Sequence, residues 1–112
     1  MTSLKFILGV IAVSLFSLQA AASIQVPSNQ TPSFIINKIS TAKSNAVLYL
    51  DSNHGTCGGS IEVVIDWSAD PEIKNLYSTA LTAFAAGKKV GFGANDCSGS
   101  STISIYRIDV AK

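Results

Sequence analysis

One strong amphipathic helix, flanked on both sides by short β-rich runs, predicts a small α+β, mainly β domain. Three runs precede the helix and two follow it. Five strands with a helix between the third and fourth is the arrangement of an OB-like barrel, in which the helix plugs one end. An open antiparallel sheet with the helix packed across it is the alternative. Strand order is not visible in the residues, so both stay open here.

The helix is Asp70–Gly87, DPEIKNLYSTALTAFAAG. Ile73, Leu76, Tyr77, Ala80, Leu81, Phe84 and Ala85 recur at helical spacing and form one apolar stripe. Lys74, Asn75, Ser78, Thr79 and Thr82 fall on the other side. Asp70 is placed to cap the first turn, with Pro71 at the first helical position, where a missing N–H costs nothing. Gly87 supplies a left-handed stop, and Lys88 and Lys89 come next, at the negative end of the helix dipole.

Phe34–Ser40 (FIINKIS) is the first expected strand and Ala46–Asp51 (AVLYLD) the second. The second is apolar on both faces, which predicts a central or doubly covered strand. Ile61–Trp67 (IEVVIDW) alternates in the period of a half-buried strand. After the helix, Lys88–Ala94 (KKVGFGA) places Gly91 and Gly93 on one face, which permits coiling or the close approach of another backbone. In Thr102–Val110 (TISIYRIDV) the apolar positions change face between Ile105 and Ile108, which predicts a β-bulge near Tyr106 and Arg107 or a strand passing from core to interface.

The N-terminus sets the compartment. Met1–Lys5 carries one positive charge, Phe6–Leu18 is an apolar run of 13 residues, and Gln19-Ala20-Ala21-Ala22 comes after it. That order predicts a secretory signal peptide, residues 1–22, cleaved after Ala22. The run falls short of the roughly 20 residues of a spanning helix. A secreted or periplasmic protein with no membrane insertion after cleavage is expected. Residues 23–33 read as a polar, flexible arm with two prolines, and 34–112 as one domain. Without Lys5 the chain holds seven Lys and Arg against seven Asp and Glu, a net charge of zero. There is no basic stripe of the kind a nucleic-acid binder shows.

Cys57 and Cys97 are the only cysteines. In an exported chain an even count predicts a disulfide, here with one possible pairing. It would bring the loops Ser52–Ser60 (SNHGTCGGS) and Asn95–Ser101 (NDCSGSS) together at one end of the domain. Such a hydrogen-bond-rich pair can present a ligand site, and His54, Thr56, Asn95, Asp96 and Ser98 are the candidate ligand-binding residues. Turns built of turn residues explain the same composition without a site. His54 is the one imidazole, with no Gly-x-Ser-x-Gly elbow near it. A loop histidine beside a disulfide is therefore preferred over a catalytic base. Glu62, Asp66, Asp70 and Glu72 are explained by a solvated strand face and a helix start. No catalytic, cofactor or metal residue is assigned, and no enzymatic activity is expected. Trp67, Tyr49, Tyr106 and Phe92 are the aromatics able to stack on a sugar or peptide, most of them expected in core or interface.

The segment Leu76-Tyr77, Ala80-Leu81, Phe84, Gly87 and Val90, with Trp67 shortly before it, resembles the helix and next strand of B subunits of the subtilase cytotoxin and typhoid toxin group. It is also similar to small exported bacterial proteins with a Gly-Lys-Lys-Val segment followed by a Cys. The likeness covers about 25 residues well. It implies an OB-fold, a ring-shaped pentamer and glycan binding on host cells, and it carries over no sugar-binding residue. A secreted, non-catalytic module that binds a glycan or cell-surface protein is the expected function. The alternative is a small exported structural or inhibitory protein that binds another protein through a strand edge or helix face.

Overall fold

The computed structural model describes residues 24–97 and 101–112. The expected leader, residues 1–22, lies outside them. Six strands form one mixed sheet: β1 (Ile24–Val26), β2 (Ile36–Thr41), β3 (Asn45–Leu50), β4 (Glu62–Asp66), β5 (Val90–Ala94) and β6 (Ile103–Val110). Between β4 and β5 lie a 3-10 turn (Pro71–Lys74) and one α-helix, α1 (Asn75–Ala86). The sheet order is β1-β5-β6-β4-β3-β2. All neighbours run antiparallel except β4 and β6, which are parallel, with Val63 opposite Ile103.

This corrects the expected five-stranded barrel, and equally the all-antiparallel alternative. The described residues form six strands, and their sheet is not closed into a barrel. The physical reason lies at the free edge of β5. Closure would need β2 to pair along it. Instead β1 pairs with Phe92, Gly93 and Ala94. Only the isolated bridge Phe34–Val90 joins the β2 end of the sheet to β5. Gly91 is what lets the arm come so close: a Cβ there would stand 3.0 Å from the Val26 carbonyl oxygen.

Both helix ends are set by the residues expected to set them. The Asp70 carboxylate accepts from the Glu72 N–H at 3.1 Å. Gly87 takes φ +65°, and the Lys88 N–H reaches back to the Ala83 carbonyl at 3.0 Å. The expected stripe shifts, however. Ala80 and Ala83 are the buried helix residues, and Ile73, Leu76 and Tyr77 pack against the core. Leu81 and Phe84 are 40% and 41% exposed, and Ala85 is exposed as well. The first turn is 3-10 rather than α, which changes the phase of the helical turns after it. Two alanines then let the helix sit close to the sheet, and the larger side chains remain on its flank.

The core is one cluster from every strand and the helix, with Phe92, Leu48, Ile65, Ile103, Val26, Val63 and Val90 fully buried. Trp67 packs beside the helix, its ring 6.0 Å from that of Tyr77, and its indole N–H donates to the Lys43 carbonyl at 3.2 Å. The expected bulge in β6 is present. Gly93 faces Arg107 and Ala94 faces Ile105, so Tyr106 is the extra residue. Asp66 ends β4 by accepting from the Ser68 N–H and hydroxyl at 2.9 and 2.7 Å, bonds that hold its carboxyl below the usual carboxylate range.

Candidate functional site

The loop after β3 is built by its own short polar side chains. The Asp51 N–H donates to the Ile35 carbonyl at 2.9 Å while its carboxylate accepts from the Ile35 N–H at 3.1 Å. Asn53 turns the chain by accepting from the Gly55 N–H at 2.7 Å. The His54 N–H donates to the Ser60 carbonyl and the Gly59 N–H to that of Thr56, both at 2.9 Å. Gly59 has φ +87°, a backbone conformation that L side chains rarely adopt, and a Cβ on it would lie 2.6 Å from the Asn53 amide oxygen, which would have to move.

His54 is the centre of this loop and points inward, 7% exposed. Its Nδ1 receives the Thr56 N–H at 3.1 Å. Nδ1 is therefore the unprotonated nitrogen, and Nε2 carries the hydrogen that it donates to the Glu62 carbonyl at 3.2 Å. Both ring nitrogens are spent on the backbone. Burial pushes its pKa below the ordinary value of 6.5, and the bond to Glu62 only partly opposes this. The ring ties the loop to β4 and has no nitrogen left to take a proton from a substrate.

Stability should therefore depend on pH through this residue. The folded state disfavours protonation, so the unfolded chain binds more protons below pH 6.5. His54 contributes its stability above that value and loses it as pH falls through the lower, folded pKa. In urea unfolding between pH 7 and 4.5, the drop assigned to this residue should vanish in His54→Gln. Equal pH slopes in the two proteins would refute the assignment.

Cys57 and Cys97 are bonded, with their Cα atoms 5.4 Å apart. The bond joins the loop after β3 to the loop between β5 and β6. Gly58 and Ser101 also meet across it: a Cβ on Gly58 would lie 4.0 Å from that of Ser101. Both loops lead into the parallel pair β4 and β6, at the Val63–Ile103 end. The two loops thus meet at one end of the sheet. Among the candidates, His54 and Thr56 stand on one loop, and Asn95 and Asp96 on the other. Asn95 and Asp96 are exposed. The Thr56 hydroxyl donates to the His54 carbonyl at 3.3 Å and keeps its acceptor side. His54 itself faces away from solvent, and Ser98 lies outside the described residues.

The aromatics divide sharply. Phe92 is core and Trp67 is half-buried beside the helix. Tyr49 and Tyr106 are half-exposed; Lys38 Nζ stands 4.6 Å from the Tyr49 ring centroid, and Lys38 and Glu62 are the cross-strand partners of Tyr49. Sequence reasoning missed Arg107. Its guanidinium passes over Gly93 and donates to the Asp109 carboxylate at 3.1 Å and to the Gln25 amide oxygen. The signal was the glycine at position 93, which leaves room on that face. Among the described residues, no group of three or more His, Cys, Asp or Glu could hold a metal ion. No described helix is long and apolar enough to cross a membrane. The chain matches no family model, no curated protein and no solved structure with which it was compared.

Proposed function

We propose that this chain is an exported, non-catalytic binding module, and that its disulfide-joined loop pair recognises a glycan or another polar cell-surface group. The observation that carries the reading is the Cys57–Cys97 bond, which holds Cys97, next to the exposed Asn95 and Asp96, against the polar loop that carries His54 and Thr56. Loops fixed in advance bind with a smaller ordering cost. His54 supports the same reading, since its two nitrogens hold the loop instead of serving chemistry. The helix segment Leu76–Val90, similar to that of toxin B subunits, adds the glycan class to the proposal.

A glycan array probed with the oxidised chain tests it. Saturable binding is expected, weakened at least about ten-fold in an Asn95→Ala, Asp96→Ala double variant that keeps the native melting curve. Absence of binding to any glycan at high micromolar protein would sink the reading. The protein-partner alternative would then gain, because Leu81 and Phe84 leave an apolar helix flank 40% and 41% exposed.

A further inference from the structure

The arm segment docked on β5 carries an inference that does not rest on the ligand reading above. We propose that β1 is an exchangeable clasp: Ile24–Val26 of one chain docks on the β5 edge of a second copy, in the register it uses on its own, giving a reciprocal dimer. Four observations carry this. First, β1 is an edge strand of three residues whose one strand partner is β5. Short edge strands open at low cost. Second, the seat is shaped for this segment. Val26 is buried opposite Phe92, the glycine at position 91 admits its carbonyl, and Arg107 reaches across Gly93 to grip Gln25. Any copy of the chain offers the same segment, so every contact of the closed form can be rebuilt between two molecules.

Third, the connection is slack. Val26 faces Phe92 and Phe34 faces Val90, so the two contacts lie two residues apart along the same edge of β5. That is about 7 Å. Seven residues, 27–33, join them and can span more than about 20 Å when extended. β1 can therefore leave without pulling Phe34 from its bridge, and the same length lets it reach a neighbouring molecule. Fourth, the chain without its expected leader has no net charge to keep two copies apart. When the clasp opens it bares Phe92, Gly93 and Ala94, an uncharged strand edge that demands a partner.

Light scattering after size separation reads the outcome. The exported chain, Ser23–Lys112, held at several hundred micromolar and then diluted, is expected to show a fraction at twice the chain mass that decays slowly. Val26→Asp should give at least about ten-fold less of it, because the seat would bury a charge. Excess peptide of sequence SIQVPS, residues 23–28, should convert the dimer of the unaltered chain to monomer. That second measurement decides alone if Val26→Asp fails to fold. A monomer at every concentration, or a dimer that the peptide leaves intact, overturns the proposal.

Discussion

Phe92→Ala is expected to cost about 3–5 kcal/mol of folding stability. Phe92 is 1% exposed and heads the fully buried side chains by volume. Its ring stacks on that of Phe34 at 6.5 Å between centroids, and its backbone pairs with Val26 on one side and Ile108 on the other. The two segments that cover the β5 edge therefore both lean on this residue. Relaxation into the space it leaves is poor, because the flanking strand positions are Gly91 and Gly93 and the next on its own face are Val90 and Ala94, both already fully buried. A cavity that neighbours cannot fill lies at the costly end of the range. Urea unfolding checks this, and a loss under about 1 kcal/mol would mean that the β5 edge is not part of the core.

The helix was the most legible part of the fold because its signals are local. Asp70 and Gly87 act through bonds within a turn of themselves, and both do what their positions imply. The disulfide was legible because two cysteines allow one pairing, and the β6 bulge because a change of face needs an extra residue. What failed depends on distant partners. The three residues of β1 sit in a polar, proline-containing stretch with no periodic run, and what makes them a strand is the bare glycine edge of β5 some 65 residues away. The same strand is why the barrel stays open. The parallel pairing of β4 with β6 likewise has no local signature. Leu81 and Phe84, on the stripe the sequence predicts, stay 40% and 41% exposed, because a helix-wide stripe does not show how closely Ala80 and Ala83 let the helix approach.

The candidate site divides along the same line. That the two loops would meet was readable from the cysteines. That His54 would turn inward was not, because its partners are backbone groups, the Thr56 N–H and the Glu62 carbonyl, which every sequence supplies. The turn residues of this loop do build turns: Asn53 accepts from the Gly55 N–H, and Gly59 takes a positive φ beside the Asn53 amide. The Asn53 and His54 side chains are committed to the loop itself, while Asn95 and Asp96 on the other loop are exposed.

Removing the disulfide, by reduction or by paired Cys57→Ser and Cys97→Ser replacement, is expected to lower stability by about 3–4 kcal/mol. The bond closes a separation of 40 residues that spans the helix and β5, so breaking it frees a large loop in the unfolded chain. For a domain of this size the melting temperature should fall on the order of 12–30 °C. Paired replacement keeps a lone thiol from confusing the result. A shift under about 5 °C would mean that hydrogen bonding alone holds the loops. The two loops should respond unequally. The first keeps the His54 anchor to Glu62 and the Asn53 and Ser60 bonds, whereas the second loses its covalent tie to that frame. At a temperature where the reduced chain is still folded, amide exchange should therefore rise more at Asn95–Cys97 than at Asn53–Ser60. On the reading proposed above, glycan affinity should drop with it, because a site made of two loops is lost when either one is free to leave the other.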